Sequence, residues 1–564
     1  MSARRAATRR DPVDQRREVR LERAAPSGPE RLSVCVCYPA GYSIGMSNLG
    51  FHAAVRLFSE EAGVRCERAF FDPAGGVPGR SFETGIPLGQ FDVLAFSVSF
   101  EEDYFALVGV LTAAGVTLRA EDRGGDEPLV VLGGFCASLN TEPVASFVDA
   151  VVVGAAEAIV PSLVDALAGS RGAARRDRLE QLSQQPGVYV PSLYSVERDG
   201  GRIRGFTARA DAPLPVVAAK RRPRLASSLI LTPDAFFADT FLVEATRGCP
   251  HACRFCAAGH VGKPASAFPV EEIIGAVRAA LSETRKVGLV TATLGDHPRV
   301  RELLAAIVDL DVELTVSSLR ADRLDAETCA LLARAGVRTA TIAPETGSDE
   351  LREALGKSMR REEILGAAAR LAEAGIASLK LYFMIGLPGE REDDVAEIVD
   401  LVRDVQGVFR AGHRRGRVSV SASAFVPKPR TPFQWAPVAD AATLRRRLGR
   451  LRRALAAQPR VEFTGVGPRE ARRQAVLARG PRELSAAVTA SVLEGLPWSA
   501  AVRRSGVDAN AVVGVWRDPC ETFPWEIVQT GPSRSELRSS LGTAVRLLTA
   551  DGRDPGPGAT DRSP

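Results

Sequence analysis

Residues 244–260 have the sequence EATRGCPHACRFCAAGH and hold three of the nine cysteines of this 564-residue chain within eight consecutive positions. Three residues separate Cys249 from Cys253, and two separate Cys253 from Cys256. Thiolates at this spacing can converge on one side of an iron-sulfur cluster, whose fourth iron then has no cysteine ligand. We therefore predict that Cys249, Cys253 and Cys256 bind a [4Fe–4S] cluster and form the metal-binding, catalytic centre. We call residues 248–260 the cysteine loop.

A disulfide or a structural zinc site would also explain clustered cysteines. An odd number of cysteines, most of them isolated in apolar stretches, does not suggest a disulfide framework. A structural zinc ion would need a fourth ligand, and His251 and His260 are poorly spaced for a closed tetrahedral site. Both alternatives stay open at this point, although they fit the spacing less well than a cluster.

Length and composition indicate a globular protein of two or three domains. A chain of 564 residues is too long for one compact core, and its 45% hydrophobic and 25% charged residues are close to globular averages. No run of about 18 apolar residues is present to span a bilayer, and the Arg-rich N-terminus lacks the apolar stretch of a secretory signal. We predict a cytoplasmic protein without membrane contact and with a disordered basic tail at residues 1–30.

Residues 31–195 are predicted to form an N-terminal doubly wound, Rossmann-like α/β domain. Apolar runs such as LSVCVCYP, DVLAFSVSF and PLVVLGGF alternate with helical patterns, which is typical of a parallel sheet covered on both faces. Such sheets bind ligands beyond the carboxyl ends of their strands. The residues predicted there as cofactor-binding are Tyr38, Ser47, Asn48, Ser97, Gly133, Gly134, Gly154 and Glu157.

A second β/α series follows a linker predicted at 196–235. Counting from FLVEATRG, residues 236–440 contain about six β/α units, which predicts a partial (β/α)6 TIM barrel with active groups at the strand C-termini. The cysteine loop follows the first of these strands. We predict a mostly helical C-terminal region at 441–535 and a partly disordered tail at 536–564.

The cysteine spacing, the aromatic Phe255 before the third cysteine and the barrel together resemble the radical S-adenosylmethionine (SAM) superfamily. The resemblance implies that the open iron chelates the amino and carboxylate groups of SAM. It also implies that the cluster supplies an electron for cleavage to a 5′-deoxyadenosyl radical, with flavodoxin or ferredoxin as reductant. The SAM-binding residues carried over from the family are Phe255, Gly295, Asp296, Ser318, Arg320, Glu345 and Gly386. The usual glycine-glycine-glutamate form is absent at Gly295–Asp296.

An α/β domain ahead of such a barrel resembles the cobalamin (B12)-binding class of the superfamily. The stretches YPAGYSIGMSNLG (38–50), FVPKPRTPFQW (425–435) and FPWEIVQTG (523–531) are similar to a bacterial branch related to tryptophan 2-C-methyltransferases. The resemblance implies bound cobalamin and methyl transfer to a carbon of a small molecule or peptide residue. No Asp-x-His-x-x-Gly motif occurs, so cobalamin would bind without histidine ligation, and we expect His52 to be a core or surface histidine.

Two further enzyme functions remain open. One is a cobalamin-independent radical SAM enzyme, and the other is a methylthiotransferase-like protein that modifies tRNA with a second, N-terminal cluster. Against the latter, no C-terminal RNA-binding barrel is evident, and the small net charge of +5 does not lead us to expect a nucleic acid partner. The N-terminal cysteines expected instead to be buried small hydrophobes are Cys35, Cys37, Cys66 and Cys136.

Four other residues have ordinary structural interpretations. We expect Arg68 to be a surface arginine in a loop, although it would lie under a corrin if cobalamin binds. Glu271 and Glu272 are expected to be an acidic pair at a helix N-terminus rather than iron ligands. Cys520 lies in a Pro-punctuated loop and is either a buried thiol or reaches the active site.

Overall fold

The computed structural model describes residues 17–21, 28–71, 79–199 and 202–556. Most of the predicted basic tail at 1–30 and the end of the predicted tail at 536–564 lie outside the described residues. No helix in the described part of the chain is long and apolar enough to cross a membrane.

The first domain is a mainly parallel sheet. Its segment of chain contains β1 (Val19–Arg20), β2 (Leu32–Tyr38), α1 (Tyr42–Gly45), α2 (Leu49–Glu60), β3 (Val64–Phe70), β4 (Val93–Ser97), α3 (Asp103–Ala113), β5 (Leu129–Gly133), β6 (Ala150–Val152), α4 (Ala156–Gly169), α5 (Arg175–Ser183) and β7 (Val188–Tyr189). The sheet order is β3-β2-β4-β5-β6-β7, parallel except at β7. Every residue of β2 and β4 is buried, so both faces of the sheet are covered. The predicted doubly wound α/β fold is confirmed.

The topology of this sheet locates its ligand crevice. After β2 the chain moves outward to β3 and then returns to β4 on the other side of β2. Ligands of doubly wound sheets bind where the strand order reverses in this way, beyond the carboxyl ends of the strands. The crevice therefore lies beyond Tyr38 and Ser97, where the sequence predicts a cofactor site.

The predicted linker contains regular structure. Its strands are β8 (Tyr194–Asp199), β9 (Arg202–Ala208), β10 (Val216–Val217) and β11 (Ile230–Leu231). Strands β8 and β9 form an antiparallel hairpin, and β11 pairs with β1. Isolated bridges attach the linker to both domains, through Gly154–Ala219 in the first and Ser227–Val243 in the second.

The second domain is a partial barrel. Its elements are β12 (Thr240–Glu244), β13 (Thr246–Arg247), α6 (Ala258–Val261), β14 (Ser266–Ala267), α7 (Val270–Ala280), β15 (Lys286–Val290), α8 (Val300–Asp309), β16 (Glu313–Val316), α9 (Ala326–Arg334), β17 (Thr339–Glu345), α10 (Asp349–Ala354), α11 (Arg361–Glu373), β18 (Ser378–Ile385), α12 (Glu392–Gly412), β19 (Arg417–Ala424), α13 (Ala441–Ala456) and β20 (Val461–Gly465). Parallel strands run in the orders β12-β15-β16 and β17-β18-β19-β20, and a Leu319–Ile342 bridge joins the two groups. The predicted partial barrel is confirmed, and β20 adds a strand within the region predicted as mostly helical.

The C-terminal region packs on both domains. It contains α14 (Pro468–Arg479), α15 (Leu484–Leu493), α16 (Trp498–Arg504), α17 (Ala509–Val513), β21 (Val528–Gln529) and α18 (Arg534–Ala550). A capping box between Ser533 and Glu536 starts α18, whose Leu537 and Leu541 are buried. The segment 536–550, which we predicted as the start of a partly disordered tail, is therefore a packed helix.

Short 3₁₀-helices occupy several loops between these elements. They span Leu88–Gln90, Ala120–Asp122, Phe135–Ser138, Glu142–Val144, Pro191–Leu193, Leu294–Asp296, Ala321–Arg323, Pro432–Trp435 and Pro524–Ile527.

The N-terminal cysteines behave as small apolar residues. Cys35, Cys37 and Cys136 are buried, whereas Cys66 is half-buried. Burial raises the pKa of Cys66 to about 12, so its thiol stays neutral at physiological pH. The prediction of buried small hydrophobes holds fully for three of the four cysteines.

His52 is a core histidine, as expected. Its Nε2 lies 3.0 Å from the carbonyl oxygen of Met46, and its Nδ1 accepts from the amide of Leu229 at 3.1 Å. Burial lowers its pKa to about 4, which keeps the ring neutral. With both ring nitrogens engaged, His52 has no free ligand atom.

The expectation that Arg68 is a surface arginine in a loop is wrong. It lies within β3 and is 1% exposed, rather than on a surface loop. Its guanidinium donates to Glu18 at 2.7 and 3.0 Å and to Glu83 at 2.6 Å, and it stacks over Phe82 at 4.7 Å. These partners lie far apart in sequence, so the local pattern VRCERAF gave no sign of a buried ion pair.

Replacing Arg68 by methionine should strongly destabilise the first domain. Glu18 and Glu83 would lose a buried cation, and breaking such a pair costs about 3–5 kcal/mol. We expect the first thermal unfolding transition to fall by several degrees in calorimetry. The matched control is Arg176→Met, because the Arg176–Glu180 pair is largely exposed and surface ion pairs contribute little to stability. Equal losses in both variants would contradict the assignment.

Candidate active site

The cysteine loop leaves the end of β13 through a glycine turn. Gly248 has a φ of +76°, and a Cβ at this position would lie 1.9 Å from the carbonyl oxygen of Gly262. The Nε2 of His260 lies 3.1 Å from the carbonyl oxygen of Cys253. The two ends of the loop are thus packed against each other, and the middle cysteine is tethered to α6.

The three thiols are free and partly shielded. Cys249 and Cys253 are buried and Cys256 is half-buried. Burial raises the pKa of Cys249, and raises that of Cys253 to about 11, although the charge of Lys357 acts in the opposite direction on Cys253. A soft metal centre would displace these protons, and three shielded thiolates are suitable ligands for an iron-sulfur cluster.

The two histidines of the loop are engaged elsewhere. The Nε2 of His251 lies 2.7 Å from Oδ2 of Asp296, and His260 contacts the backbone of Cys253. Within the described residues, the three cysteines included, no three His, Cys, Asp or Glu side chains are placed to hold one metal ion. Because both histidines of the loop are engaged, neither is available as the fourth ligand of a closed zinc site.

Asp296 is placed next to the cysteine loop at the end of the second barrel strand. It is 9% exposed and is held by His251 and by the hydroxyl of Thr293. A Cβ on Gly295 would lie 2.6 Å from the Cβ of Arg323, so glycine permits close packing here. The structure thus places Gly295 and Asp296 next to the cysteine loop. Contact between this pair and SAM stays a prediction.

Arg320 and Ser318 follow the third barrel strand. Arg320 is buried, and its guanidinium donates to both carboxylate oxygens of Asp322 at 2.9 Å and to the carbonyl of Ser358 at 3.2 Å. Ser318 is half-buried and makes no hydrogen bond within the described residues. The guanidinium of Arg320 is thus already paired in part, and its role toward a SAM carboxylate stays a prediction.

Glu345 and Lys357 form an ion pair at the end of the fourth barrel strand. Glu345 has a φ of +69°, beside an irregularity in the β17–β18 register. The ammonium of Lys357 donates to Oε1 of Glu345 at 2.5 Å, and both side chains are 11% exposed. No sequence pattern pointed to Lys357. One indication was available in the sequence: Lys357 directly follows a glycine, in the segment after the strand end APETGSD.

Gly386 and Glu390 follow the fifth barrel strand. Gly386 has a φ of +78°, and a Cβ there would lie 2.7 Å from Leu444. Its amide donates to Oε2 of Glu390 at 2.6 Å, and Arg447 donates to the same oxygen at 2.5 Å. Burial raises the pKa of Glu390 to about 8, against the charge of Arg447. The glycine is required by this turn, and a role in adenine binding stays a prediction.

Three further predictions concern Phe255, Cys520 and the acidic pair Glu271–Glu272. Phe255 packs against an apolar cluster that includes Trp435 and Trp525. Cys520 is exposed, so the buried alternative is wrong. Glu271 and Glu272 lie in the first turn of α7, as expected.

Several of the predicted residues of the first domain lie at the crevice between β2 and β4. Asn48 caps α2, and its Nδ2 donates to the hydroxyls of Tyr38 at 3.2 Å and Ser99 at 3.3 Å. Ser47 donates to the carbonyl of Ser43 at 2.9 Å. Ser97 ends β4 in register with Gly133 of β5. Tyr38, Asn48, Ser97 and Gly133 are therefore brought to one edge of the sheet.

Two aromatic side chains missed by the sequence analysis are exposed at this edge. Phe100 follows β4 and is 47% exposed, and Phe135 follows β5 and is 42% exposed. The amide of Cys136 donates to the carbonyl of Val98 at 3.2 Å, which brings their loops together. Exposed aromatics at a ligand crevice offer a flat apolar surface.

Gly134 and Gly154 allow close approach of the protein's own backbone. A Cβ on Gly134 would lie 2.5 Å from the carbonyl of Val98, and a Cβ on Gly154 would lie 2.2 Å from the carbonyl of Ala219. The φ values are +98° and +111°. The space at Gly154 that we assigned to a cofactor is thus filled by the linker.

Glu157 connects the first domain to strand β13, which directly precedes the cysteine loop. Its Oε1 accepts from Arg247 at 2.5 Å, and Arg247 also donates to both oxygens of Glu244. Burial alone would raise the pKa of Glu157, but Arg247 reverses this effect and lowers it. Glu157 therefore acts here as one half of an interdomain ion pair.

A second ion pair joins the first domain to the barrel at a different position. Lys428, which follows β19, donates to both carboxylate oxygens of Glu101 at 2.6 and 2.7 Å. Gln474 donates to the same carboxylate at 3.1 Å. Because Glu101 follows β4, the carboxyl edge of the first sheet faces the carboxyl ends of the barrel strands.

Comparison with known proteins agrees with this architecture. A family model described as "Radical SAM proteins, N-terminal" matches residues 50–191, and one described as "Radical SAM superfamily" matches residues 243–402. An uncharacterized protein of Methanocaldococcus jannaschii is 25% identical over 408 residues, which cover 71% of this chain and 79% of that protein.

A second relative and a solved structure match different shares of the chain. The tRNA-2-methylthio-N(6)-dimethylallyladenosine synthase of Sorangium cellulosum is 28% identical over 231 residues, 35% of this chain and 45% of that protein. The radical SAM methyltransferase TsrM of Kitasatospora setae, solved with cobalamin and a [4Fe–4S] cluster, is 14% identical with a TM-score of 0.49, and the match covers 92% of this chain and 100% of that chain. From the two family models and the cysteine loop we conclude that this chain belongs to the radical SAM superfamily, which implies a [4Fe–4S] cluster and SAM as its cofactors.

Proposed function

We propose that this radical SAM enzyme is a cobalamin-dependent methyltransferase that acts on a carbon atom of a small molecule or peptide residue. The observation that supports this most directly is the facing arrangement of two crevices. The cysteine loop lies at the carboxyl ends of the barrel strands, and the Lys428–Glu101 pair links these ends to the switch-point crevice of the first sheet. A substrate between them would be within reach of both.

The residues of the barrel fit the cluster and SAM. Three free, shielded thiols would bind the cluster, and Asp296, Arg320 and Glu345 are polar groups close to them. When bound, the cluster supplies one electron to SAM. The chain itself contributes shielding from water, through the burial of Cys249 and Cys253.

The residues of the first domain fit cobalamin in part. Phe100 and Phe135 offer an apolar surface for a flat macrocycle, beside the small residues Ser97 and Gly133. His52 is fully engaged, so the metal of a bound corrin would have no histidine ligand from this position. Cobalamin bound here would supply a methyl carrier. The linker fills the space at Gly154, which confines this surface to the ends of β2, β4 and β5.

Binding of cobalamin tests the proposal. Replacing Phe100 and Phe135 together by aspartate puts charges on the proposed corrin surface, and we expect corrin retained after desalting to fall at least about tenfold. Iron content should stay at the wild-type level, because both residues follow strands of the first sheet and neither belongs to the cysteine loop.

The matched control is Leu493→Asp, since Leu493 is 48% exposed on the C-terminal region. Retention of corrin by the double variant, or equal loss in the control, would rule out this surface. Iron without corrin in the wild type would favour a cobalamin-independent enzyme that generates the 5′-deoxyadenosyl radical.

A methylthiotransferase-like function on tRNA receives less support. The similarity to the synthase of Sorangium cellulosum covers 35% of the chain. A second cluster would need thiols gathered in one loop of the first domain, but Cys35 and Cys37 lie within strand β2 and Cys136 lies in the short helix that follows β5.

A further inference from the structure

Lys357 directly follows a segment in contact with the cysteine loop. The carbonyl oxygen of Leu355 accepts from the amide of Arg254 at 2.8 Å. A Cβ on Gly356 would lie 3.2 Å from the carbonyl oxygen of Ala252. These contacts involve the two neighbours of the middle cysteine, so the chain brings Lys357 close to the predicted cluster ligands.

The ammonium of Lys357 is fixed by one carboxylate. Its bond to Oε1 of Glu345 measures 2.5 Å, and both side chains are 11% exposed. Glu345 keeps a backbone φ of +69°, which non-glycine residues rarely adopt. A buried ion pair held in an unfavourable backbone conformation is a common feature of functional sites.

The two members of the pair place opposite charges beside the cysteine loop. Lys357 brings an ammonium and Glu345 a carboxylate, and both side chains are largely shielded from water, where charges act more strongly than on an exposed surface. A cluster in this loop would become one unit more negative when it accepts an electron. A nearby cation stabilises the reduced form and a nearby anion destabilises it.

We propose that Lys357 and Glu345 set the reduction potential of the iron-sulfur cluster, with Lys357 raising it and Glu345 lowering it. The inference rests on the assignment of the cysteine loop as the cluster site. Neither residue is a cluster ligand in this proposal. The reaction is addition of one electron from an external reductant to the oxidised cluster, with no bond formed or broken.

A potentiometric titration without SAM tests the proposal. Reconstituted protein is reduced stepwise with dithionite, and the reduced cluster is measured by electron paramagnetic resonance. For Lys357→Met we expect the ratio of reduced to oxidised cluster at a fixed potential to fall about tenfold, equivalent to a potential about 59 mV lower. For Glu345→Gln we expect the opposite shift.

Two further variants separate charge from structure. Lys357→Arg keeps the charge and should stay near the wild-type potential. Lys286→Met removes an exposed lysine at the start of β15, the opposite end of the barrel, and should leave the potential unchanged.

Opposite shifts in Lys357→Met and Glu345→Gln support the proposal, and shifts of the same sign or no shift would overturn it. If Lys357→Met does not bind a cluster, Glu345→Gln decides, because a potential that does not rise contradicts the proposal. A wild-type protein that binds no iron would instead refute the assignment of the cysteine loop.

Discussion

Replacing Cys249, Cys253 and Cys256 together by alanine is expected to abolish iron binding. The wild type should bind about four irons per chain after anaerobic reconstitution, and the triple variant close to none. The reason is that all three thiols lie in one tethered loop, whereas other described cysteines, such as Cys35 and Cys37, lie within a strand of the first sheet. Iron and sulfide analysis with the visible absorption of the cluster measures the effect.

The first control is to verify that the triple variant keeps its fold. Circular dichroism should be unchanged, because the loop is not part of either sheet. A variant with only the exposed Cys520 replaced should keep its iron. Substantial iron in the triple variant would show that the cluster is held elsewhere.

Replacing Gly248 by alanine is expected to have nearly the same effect through the backbone. Gly248 has a φ of +76°, and the added Cβ would lie 1.9 Å from the carbonyl oxygen of Gly262. The two ends of the cysteine loop would have to move apart, so Cys249 would leave its position. We expect iron content below about one tenth of the wild type.

The matched control is Gly275→Ala on α7, where no atom lies within 4 Å of the added Cβ. Alanine also has the higher helix propensity, by about 1 kcal/mol, so this variant should be at least as stable as the wild type. Normal iron content in Gly248→Ala would mean that the loop opens without losing the cluster, contrary to our account.

Local patterns were enough to predict the fold, and they also carry the assignment of the cluster ligands, which stays a prediction. The apolar strands of both domains and the close spacing of Cys249, Cys253 and Cys256 are properties of short segments, which keep their meaning without knowledge of distant contacts. The small polar residues at strand ends were predictable for the same reason, since topology brings carboxyl ends of parallel strands to one edge.

Contacts between distant segments were not predictable. Lys428 and Glu101 are 327 positions apart and Arg247 and Glu157 are 90 apart, so no local pattern indicates either pair. Arg68 was misjudged because its partner Glu18 lies 50 positions away. In each case burial and charge compensation depend on tertiary packing.

Gly154 shows a different limit. A glycine at the carboxyl end of a strand is compatible with a ligand or with close approach of another backbone. The sequence led us to assign the space to a cofactor, and the structure fills it with Ala219 of the linker. Only the folded chain distinguishes these two uses of the same residue.

The most direct test of the account is the iron and corrin content of wild-type protein produced anaerobically with cobalamin supplied. After removal of unbound cofactor, we expect about four irons and one corrin per chain, because the two crevices face each other and are separate sites. Iron without corrin, or corrin that leaves with desalting, would contradict the cobalamin-dependent methyltransferase that we propose.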